Sequence, residues 1–246
     1  METRSFAEYE LSRMMLGTVQ FGMPYGIANR RGQPDYEQVL EIVQTALDGG
    51  VNCFDTAAAY GSSEEVLGRA LRDLGVLDDV VVVTKVMALD PEQNTEPDYA
   101  ARAIERSVAE SRRRLGIDCL PIVLFHREAD AAHLPVLRKL KERGWLRHTG
   151  VSCGNEPGPA VRFAEGDGVD ALQIPANLLD PRHRRSGAFE VASNNGVATF
   201  VRSVFLQGLI LMPEGDIPAK LDEVIPVRRR VEAIAEEAGR SMPALA

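Results

Sequence analysis

Apolar residues along the chain fall into two alternating periods. Short runs rich in Val, Ile, Leu and Phe, apolar on both faces, recur as "MMLGTV", "VNCFDT", "VVVVTKV", "LPIVLFH", "HTGVSC", "ALQIPA" and "VATFVRSV". Stretches of helical period separate them, beginning near Pro34, Ser62, Pro97, Asp130, Glu156, Asp180 and Pro218. Start signals accompany several of these: "QPDYE" puts a proline in the first turn with acids behind it, and "SSEE" has the spacing of a capping box. Strands that are apolar on both faces and joined through helices imply a parallel sheet with right-handed crossovers.

A parallel sheet of this kind is either doubly wound or closed into a barrel. The first strand is not followed by G-x-G-x-x-G, and polar residues with chemical potential recur at strand C-termini: Asp55, Lys85, His126, Ser152 and Gln173. In a barrel these ends converge on one mouth, whereas an open sheet gathers only the neighbours of its switch point. The pattern therefore predicts a closed β/α barrel in one domain over residues 1–246, with "QFGMPYGIANRRGQP" overhanging the mouth. Only seven strands are counted.

Composition changes this picture little. The 246 residues are 45% hydrophobic and 26% charged, enough apolar material for one large core or two smaller ones. A net charge of −8 opposes nucleic acid as the partner. "METRSFAEYELSRMM" has no apolar stretch typical of a leader, and no run approaches membrane-spanning length. Three cysteines in apolar surroundings suit a reducing, cytoplasmic setting. Four scattered histidines and no CxxC offer no metal site. The arginine clusters at 181–185 and 228–230 read as solvated faces balanced by acids, with cofactor phosphates as the less favoured partner.

Taken singly, the polar strand ends have bland readings: Asp55 can cap a turn, Tyr60 can be a surface aromatic, and His126 can be a hydrogen-bonded core residue. Lys85 is harder to place this way, because a lysine inside an apolar strand must be paired or lose its charge. Together they have a chemical logic. A carbonyl reduced by hydride needs a proton, and a tyrosine supplies it best if its pKa of about 10 is lowered. An ammonium ~4 Å away at an effective dielectric of ~20 is worth roughly 4 kcal/mol, about three pKa units as an upper bound, since Asp55 would hold Lys85 charged while weakening its pull.

"FDTAAAYGSSEEVLGRAL", with "TKV" at 84–86, "LFH" at 124–126, "GVS" at 150–152, "QIPANLLD" at 173–180 and "RSVFLQGLI" at 202–210, resembles the aldo-keto reductase family from "LGTVQFG" onward. The resemblance implies a (β/α)8 TIM barrel whose eighth βα unit is expected to lie outside this chain, then C-terminally incomplete, and an oxidoreductase that transfers hydride between NADPH, less often NADH, and an aldehyde, ketone or sugar. It further implies that Asp55, Tyr60, Lys85 and His126 are catalytic, with Tyr60 as general acid. Cofactor contacts carried over are Thr18, Ser152, Gln173, Arg202, Ser203 and Phe205. Cys153 stands where the family usually has asparagine, and Arg202 where it has a nicotinamide-stacking aromatic. A cofactor-binding sensor with little turnover is the alternative on the same scaffold. Substrate, reaction direction and oligomeric state are not legible.

Overall fold

The computed structural model describes residues 1–166 and 168–246. An antiparallel hairpin, β1 (Thr3–Phe6) and β2 (Tyr9–Ser12), precedes a seven-stranded parallel sheet. The sheet strands are β3 (Met15–Gly17), β4 (Cys53–Asp55), β5 (Val81–Val86), β6 (Leu120–Phe125), β7 (Leu146–Ser152), β8 (Ala171–Pro175) and β9 (Ala198–Arg202), paired in chain order. Six of the seven apolar runs contain one of them whole, and β7 begins two residues before "HTGVSC".

The sheet is rolled. Strands β4 and β8 are four positions apart, which in a flat sheet is ~19 Å at ~4.8 Å per strand. Yet Gln173 Nε2 donates to Asp55 Oδ1 at 2.8 Å. Only curvature that brings the strands around a common axis permits that bond, as the (β/α)8 expectation requires. Among the described residues β3 and β9 pair with no strand on their outer sides.

Side-chain alternation then divides the core. Cys53, Val81, Val83, Ile122, Leu124, Ala171 and Phe200 fill the interior with Leu11. Phe54, Val82, Val123, Phe125, Leu172 and Ile174 face outward to the helices. These include α1 (Val19–Gly22), α2 (Tyr36–Asp48), α3 (Ser63–Asp73), α4 (Pro91–Thr95) and α5 (Pro97–Leu115). The longest, α5, shows why the helical stretches form. Pro97 opens it, Ala100, Ile104, Val108 and Leu115 make its buried stripe, and Gly116 ends it at φ 73°.

Three local expectations change. In "SSEE" Ser62 is the N-cap of α3 but its side chain makes no cap bond, so the capping box does not form. In "QPDYE" the proline stands outside the helix, and Asp35 caps α2 in a reciprocal box with Gln38. The N-terminal segment, read only for targeting signals, is the hairpin. Its partly buried Phe6 and Tyr9 pack against the interior cluster, and Asn52 ties it in by donating to Glu10 O at 2.8 Å. Two four-residue strands of mixed charge carry too little alternation to be seen in sequence.

Candidate active site

Parallel strands direct their C-termini to one end, so the predicted residues meet there. Asp55 ends β4, Lys85 lies one residue from the end of β5, His126 follows β6, Ser152 ends β7, Gln173 lies within β8 and Arg202 ends β9. Together with Tyr60, Ser203 and Phe205, all but Lys85 line one cleft of about 1390 Å³. Lys85 is buried beneath it, at 1% exposure.

The ammonium of Lys85 donates to Asp55 Oδ1 at 2.6 Å and to the Thr56 carbonyl at 2.8 Å. It also lies 5.0 Å from the centroid of the Tyr60 ring. Tyr60 and His126 meet edge to face at 5.6 Å and 81°. Gln173 links the set sideways: its amide donates to Asp55, and its carbonyl oxygen accepts from Ser152 Oγ at 3.3 Å.

Electrostatics in the cleft correct one expectation. Burial raises the Tyr60 phenol above its ordinary 10, and the Lys85 charge, which pulls it down, does not overcome this because Asp55 pushes it up. The phenol is therefore protonated at neutral pH. His126 moves the other way: burial first, then the Lys85 charge, depresses it to about 4 from 6.5, so its ring is neutral.

That depression makes a prediction. Between the unfolded value of 6.5 and the folded value of about 4, the unfolded chain binds a proton that the folded protein refuses. Stability from this group is present above pH 6.5 and is lost as pH falls toward 4. For a half-buried ring the loss is roughly 1–2 kcal/mol after allowance for solvent screening. Urea midpoints measured down this range are expected to fall more for the wild type than for His126→Asn; parallel slopes would exclude a refused proton at His126.

Backbone contacts fix the Tyr60 loop. A Cβ on Gly22 would lie 1.8 Å from the Tyr60 carbonyl, and one on Gly61 would lie 2.3 Å from the Gly22 carbonyl. The two glycines thus let α1 press directly on the loop. Beneath it Ser63 Oγ forms a buried hub, donating to Thr18 O at 2.7 Å and meeting the hydroxyls of Thr18 at 2.8 Å and Thr56 at 3.0 Å.

Thr18, expected among the cofactor contacts, is placed otherwise. It is fully buried, its hydroxyl bonded to Asp55 O at 2.8 Å, and it does not line the cleft. Cys153 likewise turns outward into the helix-side core, where burial pushes its thiol to about 12. Arg202 donates to the Cys153 carbonyl at 2.9 Å and to Ser203 Oγ at 3.2 Å, tying β9 to the end of β7. The arginine clusters lie outside the cleft: Arg182 pairs with Asp180 at 2.7 Å, and Arg229 donates to Glu214 at 2.7 Å.

Two cleft features were not expected. The Gln207 carbonyl accepts from Ala28 N at 3.1 Å, so the overhanging loop after β3 meets the loop after β9. Ser203, Leu206 and Gln207 in the latter all have positive φ, at 64°, 48° and 58°. Such conformations cost of order 1–3 kcal/mol each and gather where ligands are clamped. No sequence signal marks them, since none is glycine or asparagine. No group of three potential metal ligands occurs among the described residues. Nor is any of their helices long and apolar enough to cross a membrane.

Comparison with known proteins shows the family and the fold. The Aldo/keto reductase family profile matches residues 13–246. Aldo-keto reductase YhdN of Bacillus subtilis is 30% identical over 85% of this chain, which spans 64% of that protein's length. The NADH-specific methylglyoxal reductase of Escherichia coli is 29% identical over 81% of the chain and 65% of its own. Among solved structures, the glycerol dehydrogenase of Gluconobacter oxydans superposes with a TM-score of 0.73 at 24% identity, over 98% of this chain and 80% of that one.

Proposed function

Since the chain belongs to the aldo/keto reductase family, we propose that it is a nicotinamide-dependent oxidoreductase acting on the carbonyl group of a small aldehyde, ketone or sugar. The observation that carries this reading is the half-buried Tyr60 phenol, set in the cleft wall between the Lys85 ammonium and a neutral His126.

NADPH, or alternatively NADH, would supply the hydride when bound. The cleft suits such a group: about 1390 Å³ exceeds the ~300–1,000 Å³ of ordinary ligand pockets, leaving room for a dinucleotide beside a substrate. Ser152 and Gln173 offer hydroxyl and amide groups, Gln173 having one N–H beyond the one given to Asp55. Arg202, Ser203 and Phe205 continue the wall. Thr18 supports Asp55 from beneath.

In reduction, Tyr60 Oη gives its proton to the carbonyl oxygen. Lys85 stabilises the phenolate that remains, and Asp55 holds that ammonium charged and oriented. His126, being neutral, keeps a ring N–H with which to hydrogen-bond the same oxygen and orient it. Because the phenol sits above its ordinary value, the acid form dominates at neutral pH. Reduction is favoured there, and alcohol oxidation, which needs the phenolate as base, rises with pH.

The test is loss of reduced-nicotinamide absorbance with NADPH and with NADH across a panel of aldehydes, ketones and aldoses. Turnover of at least one carbonyl compound is expected. Cofactor binding without turnover across the whole panel would replace this reading with a cofactor-binding sensor.

A further inference from the structure

The premise here is Tyr60 as proton donor. We propose that Glu64 and Thr84 form a positioning pair that sets the separation between Tyr60 and Lys85. Glu64, in the first turn of α3, is a carboxylate at 1% exposure. Its Oε1 accepts from Thr84 Oγ1 at 2.6 Å, both groups being buried. Its Oε2 faces Arg114 of α5 at 3.2 Å.

The pair acts through the strand. Thr84 and Lys85 are neighbours on β5, so their side chains leave on opposite faces. Lys85 turns inward beneath the cleft, and Thr84 turns outward to α3. Holding Thr84 from outside therefore holds the backbone that presents the ammonium inside. At its other end Glu64 is one residue past Ser63, whose N–H closes a turn on the Tyr60 carbonyl at 3.0 Å. The chain of contacts runs from Tyr60 through that turn to Glu64, across to Thr84 and on to Lys85.

The other ties on this loop are made by backbone: Ala58 N–H donates to the Lys85 carbonyl at 3.1 Å, and Gly22 packs against Tyr60 and Gly61. Between Thr56 and Ser62 the loop is Ala57, Ala58, Ala59, Tyr60 and Gly61, with no polar side chain except the phenol itself. A carboxylate at the Glu64 position is costly to bury, and an apolar residue would pack α3 on α5 at lower cost. What an apolar residue lacks is the reach to Thr84.

The experiment compares Thr84→Val, which removes the hydroxyl at nearly constant shape, with Thr84→Ser, which keeps it. Glu64→Gln is the control, retaining an acceptor for Thr84 while weakening the tie to Arg114. Steady-state kinetics are read beside a fluorine NMR titration of protein labelled with 3-fluorotyrosine, whose phenol ionises at lower pH. The Tyr60 resonance is assigned by its loss in Tyr60→Phe. The phenol faces Lys85, Asp55, His126 and Tyr25, and of these charged or polar neighbours only Lys85 pulls its ionisation down.

Thr84→Val is expected to lower kcat about tenfold with KM within about twofold, since small misplacements of reacting groups are expensive. The Tyr60 ionisation is expected to move up by about half a pH unit as the ammonium's hold loosens. Thr84→Ser restores both, and Glu64→Gln changes the melting temperature and leaves the titration in place. If Thr84→Val lowers only the melting temperature, with kcat and the Tyr60 titration as in the wild type, the pair is structural and the proposal is overturned. If no variant turns over, wild type included, the functional reading fails, and the titration alone still decides the positioning role.

Discussion

Tyr60→Phe is expected to lower turnover by at least ~10²-fold, the lower end of what a positioned acid contributes, while leaving cofactor affinity within about twofold. The substitution removes one oxygen and keeps the ring that meets His126 edge to face at 5.6 Å. The wall of the cleft keeps its shape, and Lys85, Asp55 and Gln173 keep their mutual bonds because none of those bonds includes the phenol. Cofactor titration and steady-state kinetics separate the two effects. Turnover within a few-fold of the wild type would remove Tyr60 from the role of acid, whatever its position.

Lys85→Met carries the other large effect, on stability as well as turnover. The ion pair is dry on the lysine side, with the Lys85 side chain fully buried and that of Asp55 12% exposed. Removing one partner of such a pair costs ~3–5 kcal/mol, because the remaining charge is stranded. Asp55 retains the Gln173 amide and can take up a proton, so the lower end of the range is expected. Asp55→Asn combined with Lys85→Met strands no charge and should recover part of the stability without recovering turnover. Denaturant midpoints and kcat for the two single variants and the double variant form a cycle. If Lys85→Met unfolds at the wild-type midpoint, the pair is not buried as described; if the double variant turns over normally, the ammonium has no part in the chemistry.

The two experiments bear on different parts of the inference from sequence. The placement of Asp55, Lys85, His126, Ser152 and Gln173 at strand C-termini was legible because strand boundaries follow from apolar runs, and a parallel sheet sends all those ends one way. Their consequences for acidity were not. Lys85 near Tyr60 suggested a lowered phenol, and in the structure burial and the Asp55 charge outweigh the lysine. Thr18 shows a similar limit. Its position after β3 brings it to the mouth, but its hydroxyl turns down to the Asp55 carbonyl and Ser63. Glu64 was seen only as part of a capping pattern, because its partners Thr84 and Arg114 are twenty and fifty residues away.

What the amino-acid order determined by itself is the local part: seven strands, the helices between them, and the residue types at the strand ends. These depend on period and turn chemistry within a window of a few residues, and every copy of that window reads alike. The tertiary structure decided the rest. It rolled the sheet until β4 and β8 met through Asp55 and Gln173, set the N-terminal hairpin against the interior, and turned Cys153 outward from the cleft. It also set the protonation of Tyr60 and His126. Each of these depends on which distant groups are brought within a few ångströms and on how much water is excluded between them, quantities that exist only once the chain has closed on itself.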